Sequence, residues 1–134
     1  MVSLTAEMKE TFSKIKVFPV STASRSGVPN VSLIAFVRLA GDDTIWLADN
    51  FMKKTIANLT ENPQAAISVY DPESKKCFQI KGSVTIKTSG ADFEKMTTWV
   101  HDKKPELPAK SLVILKITEV FNCIAGPDAG KKIL

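Results

Sequence analysis

The spacing of apolar residues changes several times along the chain, and each change marks an element. Leu4, Met8, Phe12 and Ile15 recur at helical spacing, with Ser3 placed as a cap and Glu7 in the first turn. From Lys16 to Ser24 the chain turns to valine, threonine and serine, a strand that ends in the turn Ser24-Arg25-Ser26-Gly27. A second strand runs from Pro29 to Leu39. The turn Ala40-Gly41-Asp42-Asp43 leads into a third, Thr44 to Ala48. These strands carry continuous apolar runs, which predicts burial on both faces over part of their length. Gln64 to Tyr70 is the fourth strand and Lys76 to Thr88 the fifth, joined by the hairpin chemistry of Asp71-Pro72-Glu73-Ser74-Lys75. Phe78, Ile80, Val84 and Ile86 share one parity, and Gly82 in their midst predicts a bend. Ser89-Gly90-Ala91-Asp92 opens a helix with Phe93, Met96 and Val100 on one face. Ser111 to Phe121 is a sixth strand that alternates cleanly, Leu112, Ile114, Lys116 and Thr118 against Val113, Leu115, Ile117 and Glu119. Six antiparallel strands with three flanking helices predict a mainly β domain, a small barrel spanning residues 1–134.

One segment breaks the ordinary rules of helix electrostatics. After the third strand, Met52, Ile56 and Leu59 recur at helical spacing, and Asp49 or Asn50 would cap the helix. Its first turn nevertheless holds Lys53 and Lys54. A helix start carries a partial positive charge, so cations there are unfavourable and an anion is favoured. Two ammonium groups, the Thr55 hydroxyl and free backbone N–H groups together suit a phosphate; two solvated lysines on a surface helix are the plain alternative.

Composition narrows the function by exclusion. The net charge of +4 comes from dispersed pairs of lysines, without a basic stripe or an aromatic ladder, which argues against nucleic acid. No apolar stretch reaches the length of a membrane span, and the first residues lack the order of a signal peptide, so a cytoplasmic protein is expected. Cys77 and Cys123 stand apart without a metal or disulfide framework and are expected to be reduced and mostly packed. His101 is the single histidine, at a helix end where a solvated position is expected, and no metal site is anticipated. Catalytic serine, nucleotide-loop and dinucleotide motifs are all missing. Chemistry in this chain would have to come from a bound cofactor.

The ordered set of motifs resembles the FMN-binding split-barrel proteins of the pyridoxamine 5′-phosphate oxidase-like superfamily, above all their short members. The resemblance rests on Val20-Ser21-Thr22-Ala23 with Gly27-Val28-Pro29-Asn30-Val31-Ser32, and on Thr44-Ile45-Trp46-Leu47-Ala48-Asp49. It continues through Lys53-Lys54-Thr55, Asn58-Leu59, Asn62-Pro63 and Phe78-Gln79-Ile80-Lys81-Gly82-Ser83-Val84. It implies a six-stranded antiparallel split β-barrel that binds FMN noncovalently. The FMN phosphate would lie on Lys53, Lys54 and Thr55. The isoalloxazine would lie between Val31, Ser32 and Leu33 on one edge and Leu47, Ala48 and Asp49 on the other, largely through their backbones. A homodimer with the flavin at its interface is also implied, and Cys77 aligns with a position that reaches the flavin across it. An oxidoreductase passing electrons or hydride to a small-molecule or protein partner is the implied activity. A non-enzymatic flavin carrier or electron-transfer module, and an F420-binding reductase, stand beside it. The C-terminal Trp-Arg-Leu segment of the true oxidases is missing and no arginine follows Arg38, which argues against pyridoxamine phosphate oxidation.

Overall fold

A computed structural model describes residues 2–134. Seven strands alternate with three helices: α1 (Ala6–Ser13), β1 (Phe18–Ala23), β2 (Pro29–Ile34), β3 (Val37–Leu39), β4 (Thr44–Asp49), α2 (Lys54–Glu61), β5 (Gln64–Tyr70), β6 (Cys77–Lys87), α3 (Ala91–Lys103) and β7 (Ser111–Asn122). All pairings are antiparallel, in the order β2-β1-β5-β6-β7-β4-β3.

The count of seven rather than six comes from one break. The expected second strand splits at Ala35-Phe36, where Val37 N–H bonds back to the Ala35 carbonyl at 2.9 Å and Phe36 O accepts from Ala48 N–H at 3.0 Å. The first half pairs with β1 and the second with β4, which lie toward opposite ends of the strand order. The two-residue link therefore joins both edges of one curled sheet, as a split barrel requires.

Burial follows from the alternation of side chains along each strand. Phe18, Val20, Ile45, Leu47, Ile67, Val69, Ile80 and Leu115 fill the barrel, with Met52 and Leu59 joining them from the α2 segment. Trp46, Ala48 and Leu112 face the other way and pack beneath Met96 and Val100 of α3. β4 is thus buried on both faces, as its continuous apolar run predicts. Arg38 lies over the Trp46 and Trp99 rings, 5.4 and 5.0 Å from their centroids.

Gly82 marks a register shift in the β6–β7 ladder: Lys81 faces Glu119 but Gly82 faces Ile117. A Cβ on Gly82 would collide with the Lys116 carbonyl oxygen and lie 2.5 Å from Leu115 Cδ2. The shift leaves Thr118 as an extra residue, its hydroxyl donating to the Lys81 carbonyl at 3.2 Å. The unbroken alternation expected through Glu119 is corrected here. Ile117 and then Val120, three positions on, both point into the barrel. At the first helix Thr5, not Ser3, is the cap, accepting from Met8 N–H at 3.2 Å. Among the described residues, no helix is long and apolar enough to cross a membrane.

Candidate functional site

A cleft of about 480 Å³ opens where β2, the β2–β3 break, the β4–α2 loop and the start of α2 meet. Its two ends differ in chemistry. One is lined by Asn30, Ser32, Lys53, Lys54 and Thr55, the other by Leu33, Phe36, Ala48 and Leu107.

The polar end is built by strand alternation. On β2, Asn30 and Ser32 face α2, whereas Val31 and Leu33 face outward and are 63% and 73% exposed. Thr55, buried in the first turn of α2, shares a hydrogen bond of 2.7 Å with Ser32 Oγ and accepts from Asn30 Nδ2 at 3.1 Å. The Asn30 and Asn58 amides both also donate to Thr22 Oγ1, which ties the two elements together. The two hydroxyls carry two hydrogens and use one between them, so the other remains available to a ligand.

The helix itself asks for an anion. Lys53 is the N-cap, no side chain caps the helix, and no acid lies in its first turn. The expected caps are engaged elsewhere, which corrects that expectation. Asp49 accepts from Met52 N–H at 3.0 Å and from the Ser111 hydroxyl at 2.9 Å. Asn50 Oδ1 accepts from Ala109 N–H at 2.9 Å. The two side chains pin the β4–α2 loop to the start of β7 and to the residues just before it. Lys53 and Lys54 are exposed at the mouth of the cleft, and among the described residues neither forms an ion pair. Uncapped N–H groups, two free ammonium groups and a spare hydroxyl hydrogen form an anion cradle.

Of the residues expected at a site, Ser32, Leu33, Ala48, Lys53, Lys54 and Thr55 line this cleft. Four lie off it. Val31 points outward, Leu47 points into the barrel, and the Asp49 carboxylate is turned into the loop. Cys77 sits beside Tyr70 at the end of the β5–β6 hairpin remote from α2. Other residues enter without having been expected. Asn30 shares the parity of Ser32 on a strand, a signal the sequence does carry. Leu107 arrives from the loop after α3, more than fifty residues from the helix start, and nothing local announces it. His101 is half-buried rather than solvated. Its Nε2–H donates to the Leu107 carbonyl at 2.8 Å and so holds that loop against the cleft.

The family model for pyridoxamine 5′-phosphate oxidase matches residues 4–123, nearly the whole chain. The chain belongs to this family. A relative in the archaeon Methanocaldococcus jannaschii, the uncharacterized protein MJ0282, is 39% identical over 99% of this chain and 89% of its own length. Among solved structures, HupZ of Group A Streptococcus superposes with a TM-score of 0.82 at 26% identity, covering 95% of this chain and 99% of that one. An FMN-binding protein from Syntrophomonas wolfei shares the fold at 22% identity and a TM-score of 0.66, over 83% of this chain and 79% of its own. In this pyridoxamine 5′-phosphate oxidase family member, the anion cradle opens directly onto the apolar half of the cleft.

That arrangement suits a ligand with an anionic end and a flat apolar end. The volume lies within the roughly 300–1,000 Å³ of small-molecule pockets. The cradle matches a phosphate dianion, and the leucine, phenylalanine and alanine walls match a flat, largely apolar ring.

Proposed function

We propose that this chain binds FMN noncovalently, with the phosphate at the start of α2 and the isoalloxazine against Leu33, Phe36, Ala48 and Leu107. The observation that carries the reading is the uncapped, doubly cationic helix start opening on an apolar cleft. Lys54 and Lys53 supply charge, Thr55 and Ser32 supply the hydroxyl donor, and Asn30 holds the hydroxyls in place. Asp49 and Asn50 fix the loop between strand and helix.

Its biochemical role would be that of an oxidoreductase in which bound FMN supplies the electron or hydride chemistry. The cleft supports that division of labour. Among the described residues, Lys53 and Lys54 at the phosphate end are the ionisable groups that line it, and none of those residues stands ready for acid–base work at the ring end. What the protein contributes is position, exclusion of water from one face, and polarity around the ring.

The exposed apolar row of Val28, Val31 and Leu33, with Phe51 beside the cleft mouth, supports a homodimer that covers the open side of the ring. Titration with FMN and F420 in parallel tests the cofactor. Tighter FMN binding is expected, and preferential F420 binding would replace the reading. Turnover of the FMN-loaded protein with NADH or NADPH and an acceptor is expected of an oxidoreductase. Binding without turnover would mark a flavin carrier instead.

A further inference from the structure

Two cysteines distant in sequence meet at the end of the barrel remote from α2. Cys77 opens β6, and Cys123 follows the last residue of β7. The ladder pairs Phe78 with Asn122, so the next rung sets Cys77 directly opposite Cys123. Cys123 N–H donates to the Cys77 carbonyl at 3.0 Å, so the rung continues beyond the strand end. Directly opposed antiparallel residues of this hydrogen-bonded kind have Cα atoms about 5.5 Å apart. A disulfide closes over about 4.4–6.8 Å. Opposed side chains also leave the sheet on the same face.

Both sulfurs are free thiols, Cys77 half-buried and Cys123 exposed. The expectation that both are packed is thereby corrected for Cys123. Burial pushes the Cys77 thiol up, and the neighbouring Cys123 pushes it the same way. In this reduced state the Cys123 thiol donates to the Phe121 carbonyl oxygen at 3.9 Å. Among the described residues, no group of three metal-ligating side chains forms, so nothing makes this pair part of a larger metal centre.

We propose that Cys77 and Cys123 form a reversible cross-strand dithiol–disulfide couple, oxidised by low-molecular-weight disulfides of the glutathione disulfide type. The exposed Cys123 attacks first, as its thiolate, on one sulfur of the small disulfide. That S–S bond breaks, one small thiol leaves with the electron pair and takes up a proton, and a mixed disulfide remains on Cys123. Cys77 then loses its proton to solvent and attacks Cys123 Sγ, releasing the second small thiol. The two cysteines lose two electrons and two protons, and the small disulfide gains them as two thiols. The second step needs the Cys77 thiolate, and its elevated thiol makes ring closure accelerate as pH rises.

The bond would sit at the root of the C-terminal segment. That segment folds back on β7 through Asn122 N–H to Lys131 O at 2.8 Å, Ile133 N–H to Val120 O at 2.7 Å, and Gly130 N–H to Asn122 O. Oxidation would clasp its first residue to β6, next to the Asp71–Lys76 hairpin. The couple does not depend on what fills the cleft.

The test is incubation of the reduced full chain in glutathione disulfide, followed by acid quench, alkylation and intact mass. The wild type is expected to lose two hydrogens, to keep no alkylatable thiol, to migrate as a single chain on a non-reducing gel, and to yield a Cys77–Cys123 peptide. Cys77→Ser should stop at a stable glutathione adduct on Cys123, and Cys123→Ser should react at least tenfold more slowly. Three outcomes on the wild type would overturn the proposal: both thiols persisting in excess glutathione disulfide, arrest at the adduct, or a bridge between chains.

Discussion

Lys54 carries more of the functional reading than any other side chain, because it is a cation placed where the helix field opposes it. Without a ligand, its charge and the uncapped N–H groups of α2 repel one another. A bound phosphate would attract both, and those attractions would outweigh the repulsion. Lys54→Ala should therefore weaken FMN by about 1.5–3 kcal/mol, the range for one charge-assisted hydrogen bond. That is roughly a ten- to hundredfold rise in Kd by flavin-fluorescence titration, with little change in thermal stability. Thr55→Val is predicted to act differently, because the Thr55 hydroxyl is already the acceptor for Asn30 and the partner of Ser32. Its removal strands those groups in a part-buried site. Both FMN affinity and melting temperature should fall, and Thr55→Ser should recover most of each.

At the scale of elements, Gly82 shows how a strand residue can be required for the space it leaves. Alanine normally serves a strand better than glycine by roughly 0.5–1 kcal/mol. Here a Cβ meets the Lys116 carbonyl and Leu115 at the register shift. Gly82→Ala should therefore destabilise the fold by about 1–3 kcal/mol, measured by urea denaturation. A stabilising substitution would mean that the ladder has room to relax. Most elements were legible in the sequence, since the apolar period changes at each boundary. Less legible was whatever depends on pairing at a distance. The Ala35-Phe36 break lies inside an apolar run and is set by two different partner strands. The bulge at Thr118 is set by β6, not by β7 itself. Local sequence does not give the cap of α2, because Asp49 and Asn50 find partners at Ser111 and Ala109, some sixty residues away. Half of the cleft was readable for the same reason: Lys53, Lys54 and Thr55 are contiguous, whereas Leu107 and its His101 support are joined to them only by the fold.

For the whole molecule, the exposed Val31 and Leu33 beside the cleft support the proposal of a pocket shared by two copies of the chain. Val31→Glu tests this without touching the cleft lining of its own chain. Sedimentation should change from dimer to monomer, with far-UV circular dichroism unchanged and FMN affinity reduced. A dimer that survives the substitution would move the interface elsewhere. Equilibrium titration of the purified chain with FMN and with riboflavin isolates the phosphate contribution. Saturable FMN binding at one flavin per chain is expected, with riboflavin binding weaker by roughly a hundredfold or more, as loss of a doubly charged group from a cationic cradle implies. Equal affinity for the two flavins, or no binding of FMN, would contradict the proposal.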